Sequence, residues 1–224
     1  MSTGGMDMRF AKDDPKITSI LWVGYPGEAG GAAIADIIFG VLPSKWEATN
    51  FMVPTRIHKI SNDEHEHEIR PCHRLYPGRS YRFYIGLTVK KFGDGLSYSS
   101  FYHHIAEALD QVSIPLEEGC ICRSLKCKSI NVAQQSCQNL AFHVHLRVKD
   151  IGRLSGSETV FLFLSPPSVH NSPQKPLLGF EKVFLEPQTE GMERFKVDVC
   201  KDLSLVDEVG SRKVALGQHV IHVG

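Results

Sequence analysis

The spacing of apolar side chains changes character partway along the chain. Residues 17–23 form a short apolar run that predicts a strand, and Gly24-Tyr25-Pro26-Gly27-Glu28-Ala29-Gly30-Gly31 follows as a turn-rich loop. Residues 32–39 are apolar on nearly all sides and stop at Gly40, which predicts a buried helix closed by a glycine. One strand, loop and helix cannot cover both faces of a parallel sheet, so this unit is expected to belong to a larger α/β layer whose other parts are not in the chain. Residues 41–74 are polar, rich in histidine and carboxylate and without a sustained period, and they predict a long surface loop. Residues 81–85 suit a strand, and Phe92-Gly93-Asp94-Gly95-Leu96-Ser97-Tyr98 is a glycine-punctuated connector.

Beyond the connector the period becomes two. Leu140, Phe142, Val144, Leu146 and Val148 point one way while His143, His145 and Arg147 point the other, the signature of a half-buried strand. Residues 160–164 are continuously apolar, residues 178–185 are mixed, and Phe195, Val197 and Val199 alternate with Lys196 and Asp198. Residues 220–223 close the chain with another apolar run. Strands at this spacing, broken by Pro166-Pro167 and by the loop from Pro173 to Pro176, predict an antiparallel β-sandwich. The expected class is α+β: residues 1–105 hold the partial α/β segment with its connector, and residues 106–224 hold the sandwich.

Composition narrows the partners. Hydrophobic content of 42% with 22% charged residues suits a globular chain that buries a core. The 25 basic and 25 acidic residues cancel without a long run of either sign, so no nucleic-acid or anionic-lipid partner is expected. No stretch approaches the ~18 consecutive apolar residues of a membrane span, so no membrane partner is expected either. Residues 1–15 carry Asp13 and Asp14 and lack an apolar core, so they do not read as a secretory signal. Of the 6 cysteines, Cys120, Cys122, Cys127 and Cys137 crowd together, with Cys72 and Cys200 apart. Their spacing matches no zinc-ligand pattern. A disulfide-stapled loop built from these four, free thiols and a metal site all stay open, and the stapled loop implies an oxidising ancestry.

Other chemical candidates are weak. Gly24, Gly27 and Gly30 fit neither a dinucleotide fingerprint nor a P-loop, so tight turning explains them and no phosphate cofactor is expected. His65 and His67 lie in an acidic stretch without an apolar anchor to fix ligands, and a solvated loop accounts for them better than a metal. His143 and His145 read as an outward polar face, and His103-His104 as a surface pair. No G-x-S-x-G elbow is present, and no cysteine has a protease context. No cofactor and no metal are expected.

The string from Ile20 to Gly31, followed by Ala35-Asp36-Ile37-Ile38-Phe39-Gly40, closely resembles the end of the α/β-sandwich domain of plant β-D-xylosidases of glycoside hydrolase family 3. Gly4-Gly5-Met6-Asp7, Tyr76-Pro77-Gly78-Arg79-Ser80-Tyr81 and the 92–98 connector are similar to the same family. So is Leu178-Gly179-Phe180-Glu181-Lys182-Val183, with residues 217–224, which resembles its fibronectin type III-like domain. Residues 41–74 depart from the family, because Phe39-Gly40 runs into Val41-Leu42-Pro43 rather than an Asn-Pro-x-Gly-Arg-Leu-Pro turn.

The resemblance implies a retaining glycosidase whose aspartate nucleophile lies in a β/α barrel and whose acid/base glutamate lies upstream of this segment. Such hydrolysis needs two carboxyl groups about 5–5.5 Å apart. Neither is expected here, and no catalytic residue is assigned. Glu28, on a loop at the carboxyl end of the predicted strand, is the one candidate for substrate contact, although the resemblance places it beyond the catalytic glutamate. The expected function is that of the carboxy-terminal part of a β-xylosidase or α-arabinofuranosidase acting on xylan-type carbohydrate, inactive alone. The alternative is a non-catalytic fibronectin-like module that binds cell-wall polysaccharide or protein. A separately encoded barrel domain is the other expected partner, and the resemblance implies an extracellular, cell-wall location. A third reading is that the incomplete α/β layer leaves apolar surface on the 32–39 helix uncovered.

Overall fold

The computed structural model describes residues 9–21, 23, 27–39, 46–47, 81–84, 88–89, 91–114, 128–132, 140–170 and 172–224. The chain divides into two compact units, Met1–Tyr98 and Ser99–Gly224.

In the first unit, α1 spans Arg9–Asp13 and α2 spans Gly30–Ile38. β1 (Trp46–Glu47) pairs antiparallel with β2 (Gly95–Leu96). The helix predicted from residue 32 is therefore present, but it is not buried: among its residues only Gly30 is enclosed, and Ile38 and the capping Phe39 stand 63% and 81% exposed. The i→i+4 ladder and the propensity of Ala-Ala-Ile-Ala suffice to form a helix, whereas burial needs a packing surface that the described residues of this unit do not supply. The strand predicted at residues 17–23 is corrected for the same reason. Its described residues are irregular backbone, with Ile17, Ile20, Leu21 and Val23 exposed, because an apolar run of this kind becomes a strand only between neighbours. Residues 81–84 form a turn rather than a strand, and Tyr81 stacks on Phe92 at 4.0 Å between ring centroids.

The second unit is a sandwich of antiparallel sheets. Its strands are β3 (Phe101–Glu107), β4 (Ser129–Asn131), β5 (Ala141–Asp150), β6 (Gly156–Ser165), β7 (Leu177–Leu185) and β8 (Glu190–Asp198). The short helix α3 (Val199–Asp202) leads to β9 (Ser204–Val206), β10 (Arg212–Ala215) and β11 (Val220–Val223). They form three sheets, ordered β3-β5-β8, β11-β6-β7 and β4-β10-β9. Residue 105, where the sequence places the domain boundary, falls inside β3, which pairs with β5 from Phe101↔Asp150 to Glu107↔His145.

Alternation along β5 explains the packing. Phe142, Val144, Leu146 and Val148 are buried, and the residues between them are half-buried or exposed. They join Val160, Leu162 and Leu164 of β6 with Phe195 and Val197 of β8 in one core. β6 is buried on both faces, since Phe161 and Phe163 alternate with those core residues and are also enclosed. Lys175 lies 4.1 Å above the Phe163 ring.

Polar side chains close the ends. Asp150 is fully buried, and its Oδ1 accepts hydrogen bonds from Ser99 Oγ (2.6 Å) and Gly152 N (2.7 Å). A Cβ at Gly152 would collide with Ser99 Oγ and approach Ser100 N to 2.9 Å, so only glycine fits there. At the start of α3, Asp198 Oδ1 accepts from Lys201 N (2.9 Å) while Asp202 Oδ2 accepts from Asp198 N (2.8 Å), a reciprocal cap. In the β9–β10 turn, buried Asp207 accepts from Lys213 Nζ (2.6 Å), Ser211 N (2.8 Å) and Val209 N (3.0 Å). The Lys213 bond, with those backbone bonds, holds its carboxyl below the usual aspartate range against the opposing effect of burial.

One carboxyl is placed where its charge is disfavoured. Where β7 and β8 meet, burial first and then the charge of Glu181 push the Glu193 carboxyl above its ordinary value.

Two variants test this account. Leu146→Ala should lower stability by about 2–5 kcal/mol in urea unfolding, through lost burial and the cavity left behind; a cost near zero would show that β5 is not the centre of the core. Because a raised folded pKa means that ionisation of Glu193 costs stability above the ordinary glutamate range near 4.5, Glu193→Gln should raise the melting temperature at neutral pH. That gain should fade as pH falls below this range. A loss at neutral pH would contradict the unfavourable contact.

Candidate functional site

Glu28 sits in the turn of residues 27–29 directly before α2, where Gly30 N donates to Gly27 O at 2.9 Å. Its side chain is exposed. A ligand loop at the carboxyl edge of an α/β sheet needs the strand that delivers it. The described residues ahead of Glu28 form no such strand. A Cβ at Gly27 or Gly31 would meet nothing within 4 Å, so close approach of another group explains neither glycine.

The second unit contains a cleft of about 420 Å³. Its floor is the outer margin of the core, including Phe142, Leu164, Val214 and Ile221, and its rim carries Asp110, Gln218 and His219. His219 Nδ1 donates to Gly217 O at 3.2 Å, while its Nε2 is buried with no hydrogen-bond partner among the described residues. Burial pushes this imidazole's pKa down, opposed by the Gly217 bond. Among the described residues lining the cleft, Asp110 is the one carboxylate. The two-carboxyl arrangement of glycoside hydrolysis is therefore not assembled there by described residues. Neither Glu181 nor Glu193 lines it, and Glu28 belongs to the other unit.

The histidines separate into distinct settings. His103 points into the sandwich, with Nε2 3.3 Å from Glu158 Oε1 on β6, and is not the surface group that the sequence suggests. The reason is register: His103 faces Val148, an inward residue, whereas His104 faces Arg147 on the outside. His143 and His145 lie on the outward face of β5 as expected, with ring centroids 6.5 Å apart. His143 Nε2 accepts from Arg194 Nη2 at 2.9 Å, since a guanidinium can only donate. Burial, then the charges of Arg194, His145 and Lys196, lower its pKa.

Cys72, Cys120, Cys122, Cys127 and Cys137 lie outside the described residues, as do His65 and His67. Cys200, set apart from the cysteine cluster by the sequence reading, is disulfide-bonded, with its partner outside the described residues. Pairing explains why separation in sequence misled. Ala141↔Asp198 and the bond from Val199 N to Leu140 O (2.9 Å) set the start of α3 beside Leu140, far from it in sequence. Among the described residues no group of three or more His, Cys, Asp or Glu side chains is placed to hold a metal ion.

With this geometry in view, the comparisons with known proteins are informative. Residues 158–224 match the model of the Fibronectin type III-like domain. The chain is 56% identical over 231 residues to Beta-xylosidase/alpha-L-arabinofuranosidase 2 of Medicago sativa subsp. varia, covering 100% of itself and 29% of that relative. It is 49% identical over 236 residues to Beta-D-xylosidase 3 of Arabidopsis thaliana, covering 100% of itself and 30% of that relative. It thus spans under a third of the length of these curated relatives. A solved GH3 exo-beta-xylosidase (XlnD), in complex with a xylobiose aziridine activity based probe, shares the fold at TM-score 0.73 and 21% identity, over 98% of this chain and 28% of that one. From end to end the chain is similar to part of the plant β-xylosidase/α-L-arabinofuranosidases, and it shares its fold with the solved GH3 exo-beta-xylosidase.

Proposed function

We propose that this chain is the non-catalytic carboxy-terminal part of an O-glycosyl hydrolase that removes terminal xylosyl or arabinosyl residues from xylan-type carbohydrate, and that it is inactive by itself. The observation that carries this reading is the full-length match to relatives of which the chain spans 29–30%. The cleft with a single described carboxylate supports it, because bond cleavage with retention needs a nucleophile and an acid on opposite sides of the glycosidic bond. Exposed Ile38, Phe39 and Phe10 support a partner for the first unit, a complementary polypeptide carrying the barrel and the rest of the α/β layer. The Cys200 disulfide supports an oxidising, extracellular or cell-wall location, where such bonds persist. Glu28 remains the proposed sugar-contacting residue of the first unit, by its exposed position on the loop before α2.

A second reading is that the sandwich is itself a binding module for cell-wall polysaccharide. Its stable, self-contained core and its outward polar sheet face favour this role alongside the first.

The purified chain, incubated with 4-nitrophenyl β-xyloside and with the corresponding α-arabinofuranoside, should release no nitrophenol above a buffer blank, while a full-length family relative assayed in parallel does. Turnover by the chain alone would overturn the non-catalytic reading.

A further inference from the structure

The outward face of the β3-β5-β8 sheet has a composition unlike the chain as a whole. Register across the three strands places side chains in rows: Tyr102, Lys149 and Glu190; His104, Arg147 and Met192; Glu107, His145 and Arg194; His143 and Lys196. Neighbours across such rows stand about 5 Å apart, and the face runs roughly 20 Å along β5. It carries four permanent cations against two carboxylates in a chain whose formal net charge is zero. One of those carboxylates, Glu190, already contacts Arg147 at 3.2 Å. Tyr102 and Met192 are 56% and 57% exposed, and the Tyr102 ring lies 5.7 Å from that of His104. The face is therefore cationic and edged by an accessible aromatic ring.

We infer that this face binds a carboxylate-bearing polysaccharide, a chain of uronic acid residues laid along β5. The inference rests on the reading of the sandwich as a carbohydrate-contacting module and specifies where and what it binds. Charge density selects the occupant. Duplex DNA presents a charge about every 1.7 Å and is bound by dense basic patches. A surplus of two cations spread over this face matches a polymer with one carboxylate per sugar ring. Lys149, Arg194 and Lys196 meet the carboxylates, and Tyr102 offers its ring to the face of a sugar. Three imidazoles, His104, His143 and His145, share the face with these cations and with Glu107 and Glu190.

The test is titration of the intact chain with sodium polygalacturonate, unsubstituted neutral xylan and an oligothymidylate, at low and moderate salt. Binding to polygalacturonate should exceed that to xylan and to oligothymidylate, and weaken with salt. The exposed double substitution Arg194→Glu with Lys196→Glu should weaken it by about tenfold or more. An unchanged thermal melt would show that this variant is folded, and Tyr102→Ala supplies an independent probe of the same face. Equal binding to polygalacturonate by wild type and by both variants would overturn the inference, as would tighter binding to oligothymidylate. Binding to neutral xylan alone would sink the anionic face and leave the carbohydrate-module reading standing. Failure to bind either polysaccharide would sink both.

Discussion

Burial of one face of β5 is the constraint on which the second unit depends. β5 is paired on both sides, by β3 and by β8, so its backbone is satisfied within the sheet and its side chains must divide cleanly between the two faces. Val144, Leu146 and Val148 have no exposed surface, and a slip of one residue would carry them to the solvent side and bring His143, His145 and Arg147 into the core. The opposite sheet answers with Val160, Leu162 and Leu164. The hydrogen bonds of Asp150 and the reciprocal cap of α3 then fix where the strands begin and end.

The same rule explains what was legible in the sequence. A half-buried strand writes its burial into alternation, so β5, β8 and the apolar run of β6 are readable, and with them the sandwich. β4, β9 and β10 are short, and little in their residues marks them as strands before their partners are known. In the first unit the apolar pattern is misleading. Residues 17–23 and 32–39 are written for contacts that the described residues do not make, so one is irregular and the other is an exposed helix. His103 illustrates a subtler failure: it adjoins His104 in sequence, but strand alternation sends it inward to Glu158. Cys200 was missed because cysteine spacing along the chain is blind to the pairing of β5 with β8. Glu28 had only a loop position behind it, and to that the structure adds an exposed side chain.

Function follows from the contrast between the units. The sandwich has a core of its own, and the fibronectin-like match beginning at residue 158 is extended by strands β3 to β5 into one packed structure. The first unit shows apolar residues to solvent on α1, α2 and the segment between them. The chain makes up under a third of its relatives' length, and within it the second unit packs a core while the described residues of the first leave apolar side chains exposed. The cationic outward face of the β3-β5-β8 sheet then becomes a surface that a self-standing module can present.

Native-state hydrogen exchange on the intact chain addresses the central claim most directly. Backbone amides of β5, β6 and β8 should exchange only through global unfolding, with a common free energy, while those of α2 exchange through local opening at much lower cost. Amides of α2 protected as strongly as those of β5 would contradict the account, because the first unit would then possess a core that its exposed isoleucines and phenylalanines deny.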